Sequence, residues 1–223
     1  MARALLQPVT NDVDPDAEPH ELRFRFDTGR PCLDLVITVG ERWRRSFERL
    51  RSPDDLSHWL VQGGLADGPL HITRRDLADA RDLREATFRI ARAAIDGRPA
   101  PQADVRTVNG WAARPDLAPR FERLGRGVRR DGGATVGAAL ATLARDAVDL
   151  FGGPLAGRVR ECAAVDCSGL FLDTSRARRR RWCSMATCGN REKVAAYRRR
   201  RAGTPNRPSL GRTPHAPIAS PRS

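Results

Sequence analysis

From residue 73 onward the apolar positions Leu83, Ala86, Ile90 and Ala94 recur on one face at helical spacing, which predicts an amphipathic helix. Thr73-x-x-Asp76 at its head resembles a capping box with aspartate in the glutamate position, and Gly97 with Pro99 closes it. A second stripe starts at Val136, runs through Leu140, Leu143, Ala144, Ala147 and Phe151, and stops at Gly152-Gly153-Pro154. Shorter helices are predicted from Pro53-Asp54-Asp55, with Leu56, Trp59 and Leu60 inward and Gly63-Gly64 as the stop, and around Asp104–Ala112 with Val105, Val108 and Trp111 inward. Cys32 to Leu50 reads as a further helix, bent near Gly40. Period two occurs at Leu22, Phe24 and Phe26, which alternate with Glu21, Arg23, Arg25 and Asp27 and predict one half-buried strand. Phe121 to Val128 suits a small hairpin. The expected fold class is mainly α: a multihelical domain over 21–153 with one or two small strands, behind a flexible tail at 1–20.

Past Gly153 the helical pattern gives way to cysteines. Cys162, Cys167, Cys183 and Cys188 form two C-x4-C pairs separated by fifteen residues. Two short-range thiolate pairs supply the four soft ligands of a tetrahedral zinc ion. In a closed set of four no position is left for water, so one structural rather than catalytic ion is expected. Disulfides are the alternative in an oxidising environment, but the N-terminus turns acidic within a dozen residues and has no export-signal layout. Such a thiolate cluster could also lose its metal on oxidation. Cys32, alone in an apolar run, reads as a buried inert thiol. Between the pairs, Gly169–Asp173 suits a strand, Thr174-Ser175 a turn and Arg178–Trp182 a returning strand; a helix from Arg191 to Arg201 follows. Residues 158–201 are thus expected to run knuckle, hairpin, knuckle, helix, too few to fold without a metal. The proline-rich stretch 202–223 reads as a disordered tail.

Charge singles out the same region. The chain carries +13 overall, and Lys193 is its only lysine against thirty-nine arginines. A GC-rich genome would raise arginine everywhere, yet residues 158–223 hold sixteen basic and four acidic residues while 1–157 are nearly balanced. That asymmetry is an electrostatic footprint for phosphate. Candidate nucleic-acid contacts are Arg176, Arg178, Arg179, Arg180 and Arg181 before the third cysteine, and Arg191, Lys193, Arg198 and Arg199 after the fourth. The competing reading is a solvated basic face. Four successive arginines on a strand cannot all face one ligand. Val194 and Tyr197 are expected to pack on the hairpin, and Trp182 to cover the metal site rather than stack on a base.

Cys188-Gly189-Asn190-Arg191, preceded by Arg180-Arg181-Trp182-Cys183-Ser184-Met185, resembles the CGNR zinc-finger family, and Phe171–Arg176 resembles that family's linker between cysteine pairs. Upstream, Gly29–Asp34 and Leu143–Val148 resemble its companion helical domain, ABATE, so the likeness spans roughly residues 22–200. The resemblance implies a bacterial protein, a stress-related transcription regulator or an RNA-binding protein, with zinc held by Cys162, Cys167, Cys183 and Cys188. After the last ligand, Gly189 would permit a positive φ and Asn190 would cap the helix or bond a cysteine sulfur. Arg191 would clamp the hairpin through Asp173 or reach a phosphate.

The leading expectation is a cytoplasmic, zinc-dependent nucleic-acid-binding regulator, with DNA favoured over RNA because the finger offers few aromatics for stacking: Phe171, Trp182 and Tyr197. The helical domain would sense a signal or partner another chain, a homodimer included. A second class is a small-molecule sensor with a pocket lined by Trp43, Trp59 and Trp111, although these suit a core better. An enzyme is not expected: His58 and His71 have no nucleophile beside them, His20 and His215 fall in the tails, and no phosphate loop or nucleophile elbow occurs. No apolar run approaches membrane-spanning length.

Overall fold

In the computed structural model the described residues are Glu18, 20–121, 128–130 and 135–202. The two expected tails lie almost wholly outside them. Six helices dominate: α1 (Pro31–Val36), α2 (Pro53–Gln62), α3 (Arg74–Ile95), α4 (Gln102–Ala112), α5 (Val136–Gly152) and α6 (Asn190–Ala202). Three short antiparallel pairs interleave with them: β1 (Val39–Gly40) with β2 (Phe47–Glu48), β3 (Pro119–Phe121) with β4 (Val128–Arg130), and β5 (Val159–Glu161) with β6 (Leu170–Leu172). None of the described helices is long and apolar enough to cross a membrane.

Local chemistry starts the central helices. Thr73 and Asp76 make the reciprocal bonds of a capping box at the head of α3, and Ser52 with Asp55 does the same for α2. Thr135 Oγ1 accepts from Ala138 N at the head of α5. Leu83, Ala86 and Ile90 of α3 and Leu140, Leu143, Ala144 and Ala147 of α5 are buried as their spacing requires. These two helices, with α1 and α4, enclose the main core. Phe121 and Val128 pair across antiparallel β3 and β4, and the rest of the expected hairpin, 122–127, lies outside the described residues.

Two expectations for the first fifty residues are corrected. Leu22–Phe26 is not a strand: the alternation is real, but the segment has no partner strand among the described residues, and Phe26 packs its ring on Trp59. Cys32–Leu50 is not a bent helix but a short helix followed by the β1–β2 hairpin. Val36, Ile37, Thr38 and Val39 form a β-branched run that a helix disfavours. The hairpin is then fastened by charge, because Glu48 is buried against Arg84 of α3 with contacts of 2.7 and 2.8 Å. Arg42 spans to Glu85 on the next position of that helix at 2.8 Å. Gly40 lies under the Phe47 ring, where a Cβ would fall 2.2 Å from a ring carbon.

The head of α1 is tied to α5. Asp146 accepts from Cys32 N at 2.9 Å and from Arg30 Nε at 2.9 Å, and Arg30 also reaches Asp149. Burial and the nearby Asp146 carboxylate push the Cys32 thiol up, which fits its inert reading. Burial raises the Asp34 carboxyl to about 6, against two hydrogen bonds from Thr28.

The cysteine segment does not hang beside this body. Val159, Leu170 and Leu172 belong to the same buried cluster as α1, α3 and α5, and Leu172 N donates to Thr28 O at 2.8 Å. Leu172→Ala is therefore expected to destabilise the helical body by about 2–5 kcal/mol, in a single denaturant transition followed by far-UV circular dichroism. An unchanged helical midpoint would contradict the shared core.

Candidate metal centre

The four cysteine sulfurs lie within 4.8 Å of one another. Each comes from a different local device. Cys162 directly follows the β5 strand and donates its N–H to Gly169 O at 2.9 Å; Cys167 closes a turn onto Ala164 O at 3.1 Å. Cys183 follows an arginine loop, and Cys188 sits inside a single π-helical turn, Met185–Gly189, that runs straight into α6. The Cys167–Cys183 and Cys183–Cys188 sulfurs are 3.7 and 3.6 Å apart. A tetrahedral ion with Zn–S near 2.3 Å places its sulfurs about 3.8 Å apart, so the donor set fits zinc in spacing and in softness. None of the four is in a disulfide. Phe171, Ala164 and Trp182 pack against the cluster, so Trp182 covers the site as expected.

Hydrogen bonds among the thiols lower Cys162 to about 7 and lower Cys188 further, with Arg191 assisting. The same contacts and burial raise Cys167 and Cys183. Four thiols this close cannot all ionise without a cation. Bound zinc supplies that cation and cross-links the two knuckles.

Every sulfur accepts at least one N–H. Gly169 N reaches Cys167 at 3.4 Å and Cys183 N reaches Cys162 at 3.4 Å. Guanidinium groups serve the other two: Arg25 donates to Cys183 at 3.3 Å and Arg191 to Cys188 at 3.5 Å. Arg25 is also held by Asp27 at 2.9 Å, and Arg191 by Asp166 at 3.1 Å. Burial alone would lower the Arg25 guanidinium, but the Cys183 sulfur and Asp27 raise it. Neither Arg25 nor Asp166 was singled out by the sequence as part of the site. Asp166 carries a signal, an acid beside a ligand inside the first C-x4-C loop; Arg25 lies 158 residues from Cys183 and carries none.

Several expected roles are revised. β6 pairs with β5, upstream of the first cysteine, not with Arg178–Trp182. The apolar side chains of Val159, Leu170 and Leu172 decide this by facing the body core. Residues 174–181 instead form a loop around Asp173, whose carboxylate accepts from Ser175 N, Ser175 Oγ and Arg180 N at 2.9, 2.6 and 3.0 Å. These donors hold the Asp173 carboxyl below its ordinary range despite desolvation.

Arg180 turns inward, its guanidinium 4.7 Å from the Phe171 ring centroid and bonded to the Trp182 and Cys183 carbonyls, so it braces the loop rather than facing a ligand. Gly189 does not take a positive φ: it is buried within a continuous helical turn, where a Cβ would stand 3.0 Å from Met185 Sδ. Asn190 is helical, not a cap; Ser184 caps that turn one turn earlier, and the Asn190 amide donates to Ala186 O. Arg191 pairs with Asp166 rather than Asp173. Val194 and Tyr197 do not pack on the hairpin but stay exposed on α6.

The remaining candidates, Arg176, Arg178, Arg179, Arg181, Lys193, Arg198 and Arg199, are exposed. Arg181 lies over the Trp182 ring at 5.1 Å. Trp43, Trp59 and Trp111 each have a separate setting among the described residues. Trp59 is buried, Trp43 donates to Glu161 Oε1 at 2.7 Å, and the Trp111 ring lies beneath Arg114. A cavity of about 140 Å³ lies elsewhere, between the body and the cysteines, with Arg25, Arg49, Cys167, Gly169, Cys188 and Arg191 in its wall.

The fold and the four-sulfur site together define a helical body carrying a zinc finger. Residues 29–154 match the ABATE family model, described as "Putative stress-induced transcription regulator", and residues 158–201 match the CGNR zinc-finger model. The chain belongs to the ABATE family, with a C-terminal CGNR zinc finger. No curated protein matches it.

Arg25→Gln removes one guanidinium from the ligand sulfurs. It is expected to weaken zinc binding about 10–100-fold, the usual cost of losing an outer-shell partner. Competition with a chromophoric chelator measures this; wild-type affinity in the variant would show that Arg25 does not support the site.

Proposed function

We propose that this zinc-binding protein is a nucleic-acid-binding regulator whose finger grips the phosphates of duplex DNA, with the helical body as its sensing or partner module. The supporting observation is how arginines are used in the two regions. In the body, Arg30, Arg42, Arg45, Arg84, Arg89, Arg92 and Arg145 each pair with a carboxylate. In the finger, Arg176, Arg178, Arg179, Arg198 and Arg199 are exposed and have no carboxylate partner among the described residues. Exposed like charges repel one another, so a cluster of this kind is stabilised by a polyanion.

Zinc enters this reading as the scaffold. The loop bearing Arg176, Arg178, Arg179 and Arg181 leads into Cys183, and the helix bearing Lys193, Arg198 and Arg199 leaves from Cys188. Holding both cysteines on one ion fixes the two basic elements relative to each other. Four sulfurs complete the coordination, so the reading is of a structural and not a catalytic ion.

Duplex is favoured over single strand because stacking surfaces are scarce. Phe171 is fully buried and Trp182 is half-buried under Arg181, which leaves Tyr197 as the exposed aromatic of the finger. Phosphate contacts position a protein without specifying sequence, so selectivity would come from α6 entering a groove or from pairing of two copies.

Replacing Arg178, Arg179 and Arg181 together with glutamine should reduce the slope of log K against log salt by roughly 0.9 per lost phosphate contact, measured on zinc-loaded full-length protein with duplex DNA. An unchanged slope would remove the phosphate grip. Stronger binding to single-stranded RNA than to duplex would reassign the ligand.

A further inference from the structure

We propose that Cys167 is an oxidation-sensitive ligand, and that a hydroperoxide entering the seam cavity converts the Cys167–Cys183 pair into a disulfide. The four sulfurs are not equally protected. Cys183 and Cys188 each accept a guanidinium N–H, which withdraws negative charge and lowers nucleophilicity. Cys162 accepts only a backbone N–H but is buried. Cys167 also accepts only a backbone N–H, from Gly169, and it is the one ligand of the four that is not buried. It lies in the wall of the 140 Å³ cavity, which exceeds what a two-oxygen molecule needs.

Two further features favour this pair. A Cβ on Gly169 would sit 3.3 Å from both the Cys167 and the Cys183 sulfur, so the absent side chain leaves the face over these two atoms open. Arg49 also lines the cavity. It donates to the Glu21 and Ile37 carbonyls, stacks on Phe47, and has no carboxylate partner among the described residues. Its charge would stabilise a departing hydroxide.

The chemistry balances in two steps. The Cys167 thiolate attacks one peroxide oxygen, the O–O bond breaks, and a sulfenic acid forms while hydroxide leaves and takes a proton to become water. The Cys183 thiolate, 3.7 Å away, then attacks that sulfur; the S–O bond breaks and the second hydroxide becomes water. Two thiolates, one hydroperoxide and two protons give one disulfide and two waters (one water and one alcohol for an organic hydroperoxide). Closing the bond requires the sulfurs to approach to about 2.05 Å. Cys162 and Cys188 alone remain as ligands, too few to retain a structural zinc ion.

The inference rests on the zinc site and not on nucleic-acid binding, and its test needs no nucleic acid. Zinc-loaded full-length protein is titrated with hydrogen peroxide, released zinc is read with a chromophoric chelator, and disulfides are mapped by mass spectrometry of unreduced peptides. The expected result is zinc release accompanied by a Cys167–Cys183 link, with substoichiometric N-ethylmaleimide labelling Cys167 first. Gly169→Ala, if it retains zinc, should slow release several-fold. A Cys162–Cys188 link, first labelling at Cys183 or Cys188, or no release from folded protein would overturn the proposal, and the first two readouts need no variant.

Discussion

Four thiolates around a divalent ion leave two net negative charges, and this protein places them in a largely buried position. Buried charge is tolerated only where hydrogen bonds and counter-charges meet it. At least one N–H to each sulfur answers that constraint, among them two from the backbone and two from guanidinium groups. The source of the guanidinium groups shapes the molecule. Arg191 belongs to the finger, but Arg25 comes from the irregular segment that precedes the family-matched body, so the lead into the body completes the metal site. Leu170 and Leu172 then bury their side chains in the body while the cysteines on either side of them bind the ion. Metal site and helical core are thus two ends of one packed structure.

Electrostatics divides the same chain differently. The body uses many of its arginines internally: Glu48 and Arg84 fasten the β1–β2 hairpin to α3, and Asp146 with Arg30 fastens α1 to α5. Such pairs cost desolvation and repay it through geometry, so they hold a register more than they add stability. The finger uses Arg158, Arg160, Arg180 and Arg191 internally, the first three on carbonyls, Arg180 also on an aromatic face, and Arg191 on Asp166 and Cys188. What remains is an exposed set of arginines on two elements whose relative position depends on the ion.

Much of the fold was legible because it is local. Helices α2 to α5 announce themselves through apolar spacing and caps such as Thr73–Asp76, and the zinc ligands through cysteine spacing alone. Two of the misreadings share a physical cause: long-range partners outweighed local pattern. The alternation at Leu22–Phe26 promised a strand, but among the described residues no second strand lies beside it. Gly169–Asp173 suits pairing with the arginine run by position alone, whereas Val159–Glu161 fills that place because both strands show apolar side chains to a distant core. Gly189 and Asn190 looked like helix punctuation, yet the helix already begins near Ser184, whose Ser-x-x-Thr spacing was the available sign. Arg25 could not be read from sequence at all.

The most direct test of this coupling is hydrogen exchange on the full-length protein with zinc bound and after chelation. The account predicts that chelation removes protection from the finger and also from β6, from the Thr28–Asp34 segment and from the β1–β2 hairpin, since these share the seam. Loss confined to residues 162–201, with the body's protection intact, would show that the finger is an independent module and that the shared core does not couple them.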